Sequence, residues 1–309
     1  MVNMYKSTTK RLKEIEKFNE GCWINIVSPT EDEIKTISAI CGVSIEDLKL
    51  ALDEEEKAHI EIEEDYIVII VDVPVKDDEG VHEFITMPLS IIIGDSFIIT
   101  ISLKKLPLIS DFTDGSVKNF FTYKKTRFIL QLLYKNASYF LYYLRYIDRV
   151  SDKVEEQFEK GMKNKDLLYL LELEKSLVYF TTALRANEIV LEKMVRLDYI
   201  KQYPEDKELL EDVIIENKQA MEMANVYSSI LSETRDAFSA VISNNLNTVM
   251  QRLTAITIVL ALPTMIFSLF GMNVYIPGME HPLAYFGILI ISAICVIIGS
   301  IVMIKKNMF

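Results

Sequence analysis

Leu253-Thr-Ala-Ile-Thr-Ile-Val-Leu-Ala-Leu-Pro-Thr-Met-Ile-Phe-Ser-Leu-Phe270 is a run of 18 residues without a charge. Gly271-Met272-Asn273 and a short loop, Val274 to Pro282, separate it from a second uncharged run of 22 residues, Leu283 to Ile304. At about 1.5 Å of helical rise per residue, both runs can cross a hydrocarbon core of about 30 Å, the first only just. The reading is a two-span membrane protein with a large soluble part in front.

Charges at the span ends give the orientation. Arg252 precedes the first span and Lys305 and Lys306 follow the second, while the loop has no Lys or Arg and one acid, Glu280. The positive-inside rule then puts both termini in the cytoplasm and the loop at 274–282 outside the cell membrane. Met1 to Lys17 is polar and has no apolar core of the kind a signal sequence needs, so residues 1–252 are expected to stay cytoplasmic.

Composition narrows the function classes. The net charge is −12, and the chain after Arg252 contributes +1, so residues 1–252 carry −13. An acidic soluble part argues against nucleic acid, which needs a basic face, and suits divalent cations. Acidity also serves solubility alone. Cys22, Cys41 and Cys295 lack metal-site spacing and read as reduced, small apolar residues; His59, His82 and His281 are too scattered for a zinc site. With no phosphate loop, nucleophile elbow or zinc signature, an enzyme is not expected.

Working outward from the spans, no Gly or Pro occurs from Glu205 to Leu262. The pattern predicts one helix from Pro204 through Phe270, roughly 100 Å long, joining cytoplasm to membrane. Before it, helices are expected over Phe120 to about Lys160 and Asp166 to about Gln202, with a turn at Gly161 to Lys165. The front of the chain reads as strands with a few helices. Cys22 to Val27 is a short strand. Thr30 with Glu33 forms a capping box for a helix ending at Gly42, and Ser44 caps Ile45 to Leu52. His59 to Glu63 alternates, Tyr66 to Val73 is β-branched and apolar, and Val81 to Ile93 and Ser96 to Ser102 are two more strands, with Asp77-Asp78-Glu79-Gly80 as a hairpin turn. Met1 to Glu20 is a strand or a ragged end. The fold class is therefore an α+β membrane protein: a cytoplasmic α/β domain over 1–115, a helical domain and stalk over 116–252, and a two-span domain over 253–309.

The long helix carries the most informative pattern. Asp236, Ala240, Ser243, Asn247, Met250, Thr254, Thr257, Ala261, Thr264, Ser268 and Gly271 recur in alternating steps of 4 and 3. That spacing is one face of a helix with a 3.5-residue repeat, which supercoils around partners. The face is small or polar. Small residues let membrane helices pack closely, which is one reading. The other is a water-lined pore assembled from several copies, since two spans cannot enclose one. Met250 and Leu253 then form an apolar constriction that gates by dewetting. At the outer end Gly271 breaks the helix, leaving unpaired carbonyls and the negative end of the dipole beside the Asn273 amide. Such neutral oxygens suit a cation held through its water shell, as magnesium is. Asn273 also fits a helix C-cap, and both roles are compatible.

Gly271-Met272-Asn273 at the outer end of a penultimate span, before a short loop, a second span and a Lys-rich tail, resembles the CorA family of magnesium channels. The likeness reaches back through Ser243-Asn244, Asn247, Val249-Met250 and Leu253-Thr254 to Trp23-Ile24-Asn25-Ile26 and Pro29-Thr30-Glu31-Asp32-Glu33. It implies a homopentamer with a cytoplasmic funnel, a stalk helix continuing into the first span, and an outer ring of second spans. It implies Gly271, Met272 and Asn273 as selectivity filter, Asp236, Asn247 and Thr264 as polar pore rings, and Met250 and Leu253 as gate. It also implies Asp212 in an inter-subunit site that senses cytoplasmic Mg2+; Asp212 and Asp236 equally suit plain solvated charges. Three features depart from the family pattern. Pro263 lies one residue nearer Gly271, Ala261 replaces a bulkier pore residue, and the outer loop lacks the usual Met-Pro-Glu-Leu and has only Glu280 to attract cations. The expected function is Mg2+ influx through a homo-oligomeric channel in membrane lipid, with Co2+, Ni2+ or Zn2+ as alternative cargo. A membrane-tethered scaffold or sensor is the alternative of another class.

Overall fold

Runs of β-branched and other apolar residues dictate the front of the molecule. In the computed structural model, which describes residues 1–8, 12–77, 83–158, 164–197, 203–272 and 283–306, they form a seven-stranded sheet. The strands are β1 (Val2–Ser7), β2 (Leu12–Ile15), β3 (Cys22–Val27), β4 (His59–Ile62), β5 (Tyr66–Lys76), β6 (Phe84–Gly94) and β7 (Phe97–Ser102). Their order is β2-β1-β3-β7-β6-β5-β4, and among these pairings only β3 with β7 is parallel.

Each face of the sheet is covered, which explains why β3, β6 and β7 read as nearly continuous apolar runs. One face packs on α1 (Glu31–Cys41) and α2 (Ile45–Lys49) through Ile24, Ile26, Ile70, Ile92 and Ile99 against Ile34, Ile37 and Leu48. The Thr30–Glu33 capping box forms, Gly42 ends α1 in the left-handed conformation, and the Ser44 hydroxyl accepts from Asp47 N. The Ser44-capped helix finishes as a tighter 3-10 turn over Leu50–Leu52.

The other face packs on α3 (Pro107–Thr113), α4 (Lys125–Phe158), α5 (Asn164–Arg196) and the start of α6 (Pro204–Phe270). Trp23 is fully buried there, in ring contact with Tyr5, Phe112, Phe120 and Phe128. Its Nε1–H donates to Thr100 Oγ1 at 2.8 Å, and that hydroxyl donates to Asn25 Oδ1 at 3.0 Å, so these three side chains are linked within the core.

A proline explains how α4 and α5 are registered on the sheet. Pro88 of β6 stands opposite Asp72 of β5 and has no N–H to offer. Asn136 of α4 and Asn187 of α5 supply the missing donors, giving Nδ2–H bonds to Asp72 O at 2.8 and 2.9 Å. Asn187 Oδ1 also accepts from Asp72 N at 2.9 Å. Burial pushes the Asp72 carboxyl up to about 6.

Several boundaries differ from the sequence expectation. Residues 12–15 form a strand against β1, where a strand or ragged end was expected over Met1 to Glu20. α3 is an additional short helix. The helix expected from Phe120 begins at Lys125, because the preceding residues are claimed by tertiary contacts. Phe120 joins the aromatic cluster, and Ser7 and Thr122 exchange backbone-to-hydroxyl bonds at 3.1 and 3.0 Å. The second helix ends at Arg196. Most of the expected hairpin turn at 77–80 lies outside the described residues.

The described chain divides into two units, Met1–Glu233 and Thr234–Phe309. The second holds the remainder of α6, with Pro263 inside it, and α7 (Ala284–Lys305). Both helices contain stretches long and apolar enough to cross a membrane.

Candidate functional site

α6 places the predicted residues on one face because 3.5 residues is close to its turn. Asp236, Asn247, Met250, Leu253, Thr257, Ala261, Thr264, Ser268 and Gly271 are all exposed in the single chain, as are Ala240, Ser243 and Thr254 between them. What α7 covers is a different face. On α6 the less exposed positions in the membrane stretch are Ala255, Val259, Leu262, Pro263, Ile266 and Phe270, with Ala255 fully buried. Each of 257, 261, 264 and 268 lies two residues on from one of these, about 200° around a helix. The polar face is therefore turned away from α7.

The less exposed positions of α7 are Ala284, Gly287, Ile288, Ser292, Cys295, Val296, Gly299, Ser300 and Met303. At Gly299 the two helices are close: a Cβ there would lie 2.7 Å from Leu262 Cδ1. The sequence reading did not assign these positions. Their signal was a serine and a glycine, Ser292 and Gly299, seven residues apart among the small residues of the helix.

Hydrogen bonds set the chemistry of the exposed face. Thr254, Thr257 and Thr264 donate their hydroxyl protons to the carbonyls of Met250, Leu253 and Leu260, at 2.8, 2.8 and 3.1 Å. A hydroxyl has one proton, so each threonine presents only lone pairs outward. Between Leu253 and Phe270 the face carries no charge and no free threonine donor, a surface that water and cations can use as acceptor. Asp236 is paired with its neighbour Arg235 at 3.2 Å; both are solvent-accessible, so the pair adds little stability.

Gly271 N–H bonds to Phe267 O at 2.9 Å, and Gly271 and Met272 close the helix as an exposed turn. Asn273, which completes the expected filter, and Glu280 of the loop lie outside the described residues. Asp212 is in the first unit, exposed on α6 next to buried Val213, and forms no ion pair among the described residues. No group of three or more His, Cys, Asp or Glu suited to hold a metal ion occurs among the described residues. The predicted residues of the second unit are thus brought onto one face, and Asp212 belongs to the first.

Comparison with known proteins places this arrangement. The family model for CorA-like Mg2+ transporter proteins matches residues 18–306. The cobalt/magnesium transport protein CorA of Methanocaldococcus jannaschii is 27% identical over 289 residues, covering 89% of this chain and 87% of that protein. The complete structure of the M. jannaschii CorA magnesium transporter superposes with a TM-score of 0.85 at 22% identity, covering 98% of this chain and 96% of the other. The full-length CmaX protein shares the fold at 14% identity, with a TM-score of 0.73 and coverage of 100% and 98%. With the family model spanning nearly the whole chain, the protein belongs to the CorA family, whose members are membrane-bound divalent-cation transporters and not enzymes.

Proposed function

We propose that this protein is a homopentameric channel for passive Mg2+ influx across the cell membrane, with both termini cytoplasmic. The observation that carries the reading is the threonine-bearing face of α6, turned about 200° from the face that α7 covers. One chain cannot wrap that face around a lumen, and five copies can, each contributing one lining helix. Asp236, Asn247, Thr257, Ala261, Thr264 and Ser268 line the pathway. Met250 and Leu253 close it, and Gly271, Met272 and Asn273 select a hydrated cation at the outer mouth. Glu280 is the acid of the outer loop. The membrane potential supplies about 2.3 kcal/mol per charge per 100 mV, roughly twice that for a divalent ion.

Regulation follows from the charge of the soluble part. Residues 1–252 carry −13. Mg2+ held between acidic faces of neighbouring subunits, Asp212 among them, keeps the channel closed, and depletion leaves carboxylates that repel one another. Flux that kept its dependence on internal Mg2+ in Asp212→Ala combined with neighbouring acids would rule this out.

Mg2+ uptake into proteoliposomes, wild type beside Asn273→Ala, tests the channel. Saturable uptake lost in the variant is the expected result. Uptake of Co2+, Ni2+ or Zn2+ without Mg2+ reassigns the cargo; the cobalt in the relative's name makes Co2+ the first to try. An intact oligomer that passes none of these ions refutes the channel and leaves a scaffold.

A further inference from the structure

The two outermost members of the proposed gate are tied to the two threonines next to them. Met250 O accepts from Thr254 Oγ1, and Leu253 O accepts from Thr257 Oγ1, both at 2.8 Å. Met250 and Leu253 are themselves uncovered in the chain, 53% and 56% exposed. Within one turn the same face therefore passes from two apolar side chains to two hydroxyls whose only free function is to accept.

We propose that Thr257, with Thr254, sets the outer edge of the gate, confining its dry segment to the single turn of Met250 and Leu253. This rests on the channel reading of that face. A water that has passed Leu253 meets acceptors at once, because the threonine protons are spent on the helix and the lone pairs cannot be turned away. From Met250 to Leu253 the rise is about 4.5 Å, shorter than two water diameters; from Met250 to position 257 it is about 10.5 Å. The cost of wetting an apolar constriction grows with the apolar area that must be filled, hence with its length. A one-turn dry ring needs only slight dilation to fill, and a two-turn ring stays empty. Thr257 is thus a boundary residue: it keeps the gate short enough to open.

The test is Mg2+ uptake into proteoliposomes by the full chain as wild type, as the pair Thr254→Val with Thr257→Val, and as the pair Thr254→Ser with Thr257→Ser, since either threonine left in place would still end the dry segment. Valine keeps the shape and removes the lone pairs; serine keeps the hydroxyl. The valine pair should lower uptake at low internal Mg2+ at least about tenfold, the equivalent of one net hydrogen bond. The serine pair should stay within about twofold of wild type by the same reasoning. All three proteins must elute at the same oligomeric size. Should the valine pair fail to assemble, Thr254→Ala with Thr257→Ala is read in its place with the same serine control. Valine and wild type conducting alike, or serine failing as valine does, overturns the boundary while leaving the channel intact. Loss of the channel reading itself shows separately, as uptake indifferent to Asn273→Ala.

Discussion

The sheet unit and the membrane unit solve the burial problem in opposite ways. In Met1–Glu233 the chain satisfies itself: Trp23 finds four aromatic neighbours and a hydroxyl for its N–H, and the gap that Pro88 opens at Asp72 is filled from two helices. In Thr234–Phe309 only one face of α6 is covered, and Leu260, Met265, Phe267 and Leu269 stand exposed beside the polar row. A soluble unit must hide apolar surface from water within its own chain. A membrane helix can leave it to lipid and can leave a polar face to other copies of itself, because only its backbone must be satisfied internally.

The largest effect that would break this comparison is in the sheet unit. Trp23→Ala removes the central ring of the core and the indole donor to the Thr100 hydroxyl, at about 3–5 kcal/mol. The thermal midpoint of the detergent-solubilised protein should fall by about 10 °C. A change of a degree or two would mean that this core is not what holds the unit together.

A second effect, up to about 3 kcal/mol, is pH-dependent. Burial raises the Asp72 carboxyl from 3.8 to about 6, so ionisation opposes folding. The penalty is complete above pH 6 and is relieved as pH falls from 6 towards 4, because the folded state takes up the proton first. Asp72→Asn should therefore be more stable than wild type at pH 7.5, with the difference shrinking to nothing near pH 4. Midpoints measured across that range decide it; a constant difference would exclude Asp72 as the source.

The smallest effect, about 1 kcal/mol, sharpens the membrane side. Gly299→Ala drives a methyl to 2.7 Å from Leu262 Cδ1, so it should weaken the α6–α7 pair. Leu262→Ala should make room for it. A double-mutant cycle on thermal midpoints should show coupling of about 0.5–1 kcal/mol between the two positions. Additive changes would mean the helices meet elsewhere.

Much of this was legible in the chain. Thr30, Glu33, Gly42 and Ser44 announce their caps, and Cys22–Val27 announces its strand, because caps and alternation are local chemistry. Leu12–Ile15 was not legible as a strand: four residues, two of them charged, exist as one only by pairing with β1. The late start of α4 at Lys125 was hidden for a related reason, since Phe120 and Thr122 obey partners distant in sequence.

For the site, the two apolar lengths, the end of α6 at Gly271 and the 3.5-residue row were readable in the chain alone, because the period of one helix needs no partner. Only the tertiary structure decided which way that row faces. Gly299 meets Leu262 where α7 lies against α6, and the threonine protons close on their own backbone. Facing is a relation between two helices, set by where one lacks a side chain and the other has one, and no periodicity along a single helix contains it.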